Sequence, residues 1–176
     1  MTLFRLPAKG FTLVELLVVV AIIGILSSIV VVGLGSSRAG GRDKERIADL
    51  IQVQLALKMY EFDIGSYPST GGAWWGNCST YGSHGTSGAS GWVPDLAPGY
   101  ISILPLDPGP TTSSNCYLYR SNGDNYMLLA HRTVESYTQT TNPYLRPSFD
   151  GVTGDGCAAN AYQNTFAMYT PGAMCW

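Results

Sequence analysis

Charged side chains are scarce in this chain, and their scarcity excludes one class of partner at the outset. They make up 12% of the 176 residues, and the formal net charge is −2. A protein that binds nucleic acid needs a basic patch to meet the phosphates, and no such patch is present. Nucleic acid is therefore not expected as a partner, although 11 tyrosines could offer stacking surfaces.

Catalytic motifs are also missing. The chain has two histidines, His84 and His131, and neither lies near a GxSxG elbow or within a recognisable Ser-His-Asp arrangement. The glycine-rich stretch "GLGSSRAGG" follows an apolar segment rather than a strand, and it lacks the lysine of a phosphate-binding loop. We predict that the chain is not an enzyme and that His131 is an ordinary sheet residue.

A long apolar run, by contrast, is present near the start of the chain. Over residues 16–34 the only polar side chains are two serines. About 20 helical residues at ~1.5 Å each span the ~30 Å hydrocarbon core of a membrane. The run is longer than the apolar core of a secretory signal peptide, about 7 to 15 residues, and no small-residue cleavage site follows it. Arg5 and Lys9 precede the run and favour a cytoplasmic start, so the rest of the chain is expected outside the cytoplasm.

Composition divides the rest of the chain into a helical stem, residues 36–64, and a head, residues 65–176. In the stem, apolar residues recur at spacings of three and four, which predicts one helix face that packs on a following sheet. This predicted apolar face comprises Ile47, Leu50, Ile51, Leu55, Met59 and Phe62. The opposite, polar face comprises Arg42, Glu45, Arg46, Asp49, Gln52 and Lys58. Gly65 and then Pro68 are typical of a helix end.

The head contains one good hairpin signal. The runs "CYLYRS" and "NYMLLAHR" flank "NGDN", which predicts two antiparallel strands joined by a tight turn. With a further strand near the C-terminus they form a small antiparallel sheet. Residues 69–92 are rich in Gly, Ser and Thr, and we predict an irregular exposed stretch there. The fold class predicted from these patterns is α+β.

Four cysteines lie in the head, which is the part expected outside the cytoplasm: Cys78, Cys116, Cys157 and Cys175. Their spacings are wide and contain no CxxC pair, which argues against zinc. In an exported domain such cysteines predict disulfides, and four of them permit three pairings.

The string "KGFTLVELLVVVAIIGILSSI" resembles the leader and N-terminal helix of type IV prepilins and type II secretion pseudopilins. The resemblance implies a leader at residues 1–10, cut by prepilin peptidase between Gly10 and Phe11, with Phe11 then N-methylated. It also implies an assembly and transmembrane helix at 11–35. Glu15 matches the glutamate at the fifth mature position. We expect its carboxylate to pair with the new α-ammonium of Phe11 on a neighbouring subunit and to set the register of a filament.

Further along, "LPLDP" and the hairpin resemble the corresponding region of major pseudopilins. We favour Cys78 paired with Cys116 and Cys157 paired with Cys175, the latter resembling the C-terminal loop disulfide of pilins. Four glycines weaken the middle of the predicted helix, either as a plain break or as a segment that unwinds when subunits pack: Gly33, Gly35, Gly40 and Gly41. Major pseudopilins bind calcium in a late loop, and Asp150 and Asp155 in "FDGVTGDGC" are candidate ligands, although the family's ligand pattern is not reproduced and an acidic turn is usually just a turn.

These patterns predict a pilin fold, with a long N-terminal helix packed on a small disulfide-pinned sheet domain. The function predicted from them is that of a structural subunit in a helical homo-oligomeric filament like a type IV pilus. The alternative is a major pseudopilin that acts in type II protein export. The expected partners are prepilin peptidase, an inner-membrane assembly platform and membrane lipid before assembly. The expected location is the inner membrane, followed by an extracellular or periplasmic filament. A membrane-anchored binding module that never polymerises is a third hypothesis, and retention of residues 1–10 would distinguish it.

Overall fold

The computed structural model describes residues 10–110 and 112–176, with the side chains of 28–34 excepted. One helix, α1, runs from Leu13 to Ile64 and includes the glycine-rich stretch. The chain divides into two compact units after Arg38. Within the residues described, no helix combines the length and the apolarity that a membrane crossing requires. The predicted membrane segment, 11–35, includes the excepted side chains, and it stays a prediction, as does the leader, of which residues 1–9 lie outside the description.

The second unit is built on a four-stranded antiparallel sheet in the order β1-β2-β3-β4. The strands are β1 (Trp75–Gly76), β2 (Cys116–Ser121), β3 (Tyr126–His131) and β4 (Phe166–Tyr169). The predicted hairpin and the predicted C-terminal strand are confirmed as β2, β3 and β4. Short 3-10 turns lie at Ser79–Tyr81, Pro147–Phe149 and Pro171–Ala173. The predicted α+β class, a helix on a small antiparallel sheet, is therefore confirmed.

The hairpin turn shows how local chemistry sets the strand register. Asn122 Oδ1 accepts the backbone N–H groups of Asp124 and Asn125 at 3.2 and 2.9 Å. Gly123 has a φ of 99°, which a residue with a side chain rarely adopts. The turn closes on the Ser121–Tyr126 pair, and each later pair of β2 and β3 follows from it.

The core lies between α1 and one face of the sheet. Leu50, Val53 and Leu57 of α1 are fully buried there against Tyr117 and Leu128 of the sheet. Burying a leucine-sized side chain is worth about 1.5–3 kcal/mol, so these contacts bind the helix to the sheet. The other face of the sheet carries a smaller cluster that includes the Cys78–Cys116 disulfide. A second disulfide joins Cys157 to Cys175, so the pairing is the one favoured from the sequence.

The end of α1 also agrees with the sequence. Gly65 has a φ of 84° and donates its backbone N–H to the Glu61 carbonyl at 2.8 Å. A glycine in the left-handed region satisfies a carbonyl that the last helical turn leaves open. The strand β1 was not predicted, because its two residues lie inside the glycine-rich stretch that indicated irregular structure.

The predicted apolar face of the stem is partly wrong. Leu50 is buried and Ile47 is partly buried, but the remaining four residues of that face are exposed: Ile51, Leu55, Met59 and Phe62. The face that packs on the sheet instead includes Asp43 and Arg46, both buried. The stem carries two apolar stripes side by side, and the stripe with charges at its start is the one that meets the head.

Candidate functional site

The N-terminus of α1 is closed by its own carboxylate. Glu15 Oε2 accepts the Thr12 backbone N–H at 2.8 Å and the Thr12 hydroxyl at 2.7 Å. Thr12 Oγ1 in turn accepts the Glu15 backbone N–H at 3.2 Å. This reciprocal pattern is a capping box, which satisfies backbone donors that the first helical turn leaves open. Glu15 therefore has a local partner within its own chain.

The helix that follows this cap exposes apolar side chains all around. Phe11 is 79% exposed, and the large aliphatic residues from Leu13 to Leu26 are exposed as well. Gly10, at the predicted cleavage point, is also exposed, and a Cβ added there would meet no other atom within 4 Å. Large contiguous apolar surfaces mark interaction with another protein or with lipid. The processing roles of Gly10 and Phe11 stay predictions.

A second apolar surface lies on the stem, which belongs to the other unit. Ile51, Leu55, Met59 and Phe62 follow one another at spacings of four, four and three, and we call them the outer stripe. Their exposed fractions are 46%, 61%, 52% and 87%. Residues spaced in this way form a continuous line on a helix surface.

A groove borders the outer stripe on the side of the sheet. It has a volume of about 550 Å³ and is lined by Ile51 and Gln54 of α1, residues 143–145 and residues 167–169 of β4. β4 is an edge strand, and residues 144–145 cover only part of its free edge through the Ala167–Tyr144 and Leu145–Phe166 contacts. Ile51 belongs both to the outer stripe and to the lining of this groove, so the two surfaces meet at that residue.

On the opposite side of the stem, the helix is fixed to the head by an ionic cluster. Arg46 is 1% exposed and contacts Asp43 at 2.7 Å, Asp107 at 2.9 Å and Glu135 at 2.9 Å. Arg42 pairs with Glu135 in addition. Buried charges are stable only when they are paired and hydrogen-bonded. The contacts with Asp107 and Glu135 therefore hold two different segments of the head against α1, while Asp43 belongs to α1 itself.

Asp43 and Asp107 also position the backbone around the cluster. Asp43 accepts the backbone N–H groups of Glu135 and Ser136 at 3.1 and 2.6 Å. Asp107, from the "LPLDP" turn, accepts the Gly109 backbone N–H at 2.8 Å. A side chain at Gly109 would collide with the Arg46 guanidinium. The turn thus presents one carboxylate to the helix and keeps space for the arginine.

The contacts of the cluster favour the charged forms of Glu135 and Arg46. Hydrogen bonds from Arg42 lower the pKa of Glu135 to about 2, against an opposing effect of desolvation and with further help from Arg46. Burial lowers the pKa of Arg46, but its hydrogen bonds and charge contacts with Asp107, Glu135 and Asp43 outweigh burial and raise it above its usual value. The arrangement offers ionic fixation and no group poised for proton transfer.

The candidate calcium ligands make local hydrogen bonds. Asp150 Oδ1 accepts the Val152 backbone N–H at 2.8 Å, and Asp155 Oδ1 accepts the Cys157 backbone N–H at 2.9 Å. One oxygen of each carboxylate therefore closes its own turn. In the part of the chain that the structure describes, no three His, Cys, Asp or Glu residues come together as metal ligands. A calcium role for Asp150 and Asp155 stays a prediction.

Some of these residues carried a sequence signal and others did not. The T-x-x-E pattern at Thr12 and Glu15 is a capping-box signature that could have been recognised. The spacing of three between Asp43 and Arg46 was visible, but Asp107 and Glu135 lie 61 and 89 residues from Arg46. Sequence reasoning placed Arg46 on the solvent face for that reason.

Comparisons with known proteins identify what the chain is similar to. The family description "Prokaryotic N-terminal methylation motif" matches residues 5–31. The type II secretion system core protein G of Vibrio cholerae is 33% identical over 121 residues, which cover 65% of this chain and 72% of that protein. The Pseudomonas aeruginosa protein of the same name is 34% identical over 104 residues, covering 59% and 70%.

The match is shorter for other relatives. The chain spans 40% of the length of the Pectobacterium carotovorum protein of that name, at 39% identity over 62 residues and 35% of this chain. It spans 66% of the Escherichia coli protein, at 34% identity over 110 residues and 57% of this chain. No solved structure matches. The relatives are named as core proteins of a secretion system and not as enzymes, which agrees with the prediction of a non-enzymatic chain.

Proposed function

Because this chain belongs to the family of the type II secretion system core protein G, we propose that it is the pseudopilin subunit of a short filament that acts in protein export. The relatives favour this function over the surface pilus that the sequence alone favoured. The observation that carries the proposal is the length of the similarity to the Vibrio cholerae protein. That match extends over 121 residues, whereas α1 has 52, so it includes much of the head.

The exposed apolar surfaces supply a physical reason for assembly. The apolar helix that starts at Leu13 leaves its side chains exposed to its surroundings, and lipid can cover them in the precursor. In a filament, the same side chains would be covered by helices of other copies. Apolar area buried in this way contributes roughly 25 cal/mol per Å². We assign the outer stripe to the same assembly, as a surface on the stem against which a neighbouring copy packs.

The Glu15 carboxylate has one partner in the single chain and a different partner in the proposed filament. In the single chain its carboxylate closes α1 through Thr12. After cleavage behind Gly10, a neighbour's Phe11 α-ammonium offers the carboxylate an opposite charge. A buried pair of this kind sets register more than it adds stability. The proposed partners are therefore other copies of the chain, prepilin peptidase and an inner-membrane assembly platform. The proposed location is the inner membrane and then the periplasm.

The experiment that tests the function is deletion of the gene in the native host. Loss of protein export with unchanged surface pili is the expected result. Loss of surface pili with normal export would overturn the proposal in favour of the pilus. Mass spectrometry of the membrane fraction should find a chain that begins at a methylated Phe11. A chain that still begins at Met1 would contradict assembly and favour an anchored module.

A matched pair of variants tests the outer stripe. Phe62→Ser removes its most exposed member, and Glu45→Ser changes an exposed polar residue outside the stripe on the same helix. We expect Phe62→Ser to abolish complementation of export at normal protein levels and Glu45→Ser to preserve it. Full complementation by Phe62→Ser would remove the outer stripe from the assembly surface.

A further inference from the structure

A cleft with several polar side chains lies on the side of the head, apart from the outer stripe. It has a volume of about 460 Å³, within the range of small-molecule sites. Its walls come from Arg46 of α1, the segment before β2, which includes Asn115, the segment after β3, residues 132–135, and Asn164 just before β4. A cleft built from four chain segments has a shape that the fold determines.

Arg132 is held in this cleft at two points. Its backbone N–H donates to the Thr165 hydroxyl at 3.1 Å, and its Nε donates to Gln163 Oε1 at 2.9 Å. Its φ is 57°, in the left-handed region that residues with a side chain seldom occupy. A backbone conformation of this kind persists when surrounding contacts impose it. The contact through Nε orients the guanidinium and leaves its two terminal nitrogens at the outer end of an exposed side chain.

The carboxylates of the cleft are already committed to other arginines. Asp107 accepts from Arg46 with both oxygens, and Glu135 accepts from Arg42 and Arg46. Among the described residues, every ion pair involves Arg42 or Arg46, and none involves Arg132. The cleft therefore contains an oriented guanidinium without a carboxylate partner.

Two side-chain amides in the same cleft can bind hydroxyl groups. The amides of Asn115 and Asn164, which also line the cleft, can both donate and accept hydrogen bonds.

We propose that this cleft binds a small hydroxylated carboxylate of the sugar-acid class. The carboxylate pairs with the two terminal nitrogens of Arg132, in the bidentate geometry that guanidinium groups favour. Hydroxyl groups of the ligand form hydrogen bonds with the amides of Asn115 and Asn164. The volume accommodates a sugar-sized molecule, whereas a simple inorganic anion would leave most of the cleft unfilled. The site does not depend on filament assembly.

Titration of the full chain in detergent tests the proposal, with glucuronate and glucose as matched probes that differ in the carboxylate. Calorimetry should detect glucuronate binding, with glucose bound at least about 10-fold more weakly because it cannot pair with Arg132. Acetate supplies a carboxylate without hydroxyl groups and should also bind more weakly than glucuronate. Equal affinities for glucuronate and glucose, equal affinities for glucuronate and acetate, or no glucuronate binding would each overturn the proposal.

Three variants test whether glucuronate binds in this cleft. Arg132→Asn deletes the guanidinium with a residue that tolerates the left-handed backbone, and it should weaken glucuronate binding about 10-fold or more. Lys58→Asn removes the same charge from an exposed position outside the cleft and should leave binding unchanged. Asn164→Ala alters an exposed residue and keeps the backbone carbonyl that accepts from Val134, so folding is preserved and binding should weaken a few-fold. Equal effects of Arg132→Asn and Lys58→Asn, or full binding by Asn164→Ala, would contradict the assignment.

Discussion

The two faces of the stem differ in a way that reverses the usual expectation for an amphipathic helix. The face toward the head buries Asp43 and Arg46 together with leucine and valine side chains. The other face leaves Leu55 and Phe62 exposed. The difference shows that polarity alone does not decide which face a fold buries. A charged face can be buried when the rest of the chain provides partners, and an apolar face stays outside when its partner is another molecule.

The largest expected effect on the free energy of unfolding comes from the Arg46 cluster, on the face toward the head. Arg46→Met removes the cation that three carboxylates share, and it leaves buried negative charge without compensation. Breaking a buried network by removing one member costs about 3–5 kcal/mol. Urea unfolding of the full chain in detergent should show a loss of that size. Lys44→Met, at an exposed neighbouring position, is the control and should stay within about 0.5 kcal/mol of wild type.

Two leucines that lie two residues apart test the difference between the buried and the exposed apolar stripes of the stem. Leu57 is 0% exposed and Leu55 is 61% exposed. Leu57→Ala leaves a cavity in the core and should lower the free energy of unfolding by about 2–5 kcal/mol. Leu55→Ala should change it by less than about 0.5 kcal/mol. Equal losses in thermal or urea unfolding would mean that both stripes are buried within the single chain.

A smaller effect is expected where a tyrosine of the sheet reaches the stem. Tyr117 donates its hydroxyl to Asp49 Oδ2 at 2.7 Å, and burial raises the pKa of both groups. Tyr117→Phe keeps the ring and removes the donor, so a half-buried carboxylate loses its partner. We expect a loss of about 1–2 kcal/mol in urea unfolding. Asp49→Ala removes the acceptor. If the double variant Tyr117→Phe/Asp49→Ala loses no more unfolding free energy than Asp49→Ala alone, the hydrogen bond is the cause of the Tyr117→Phe loss.

The smallest expected effect is a loss of unfolding free energy at acidic pH, through protonation of Glu135. The pKa of Glu135 is about 2 in the folded chain, against an ordinary value of 4.5. The stabilisation from Glu135 is therefore complete above pH 4.5 and is lost as the pH falls toward 2. Because Glu135 is partly exposed, we expect only about 1 kcal/mol. The difference in unfolding free energy between wild type and Glu135→Gln should shrink by most of that amount between about pH 5.5 and about pH 2, and a constant difference would exclude this linkage.

Much of the fold follows from local sequence signals. The β2–β3 hairpin was predictable because its turn residues and both strands lie within 16 consecutive residues, Cys116 to His131. The end of α1 was predictable because Gly65 is the residue type that a left-handed helix end requires. The two disulfides followed from four cysteines in a region expected to be exported. Each of these features depends on residue types that have a strong local or compartmental preference.

The surfaces that distinguish the two helix faces were not predictable in the same way. Both stripes of the stem have helical spacing, and periodicity cannot choose between them. The choice depends on Asp107 and Glu135, which reach Arg46 only after the head has folded. Arg132 gave no signal either, because the cleft around it is built from four separate segments. Long-range polar partners are therefore what the sequence analysis missed.

The Arg46 cluster also has a mechanical consequence for a subunit that is loaded along its helix. Its three carboxylates belong to α1, to the turn before β2 and to the segment after β3. A force that separates the stem from the head would load the Arg46–Asp107 and Arg46–Glu135 ion pairs at the same time. Two ion pairs that share a load resist separation better than two that break one after the other.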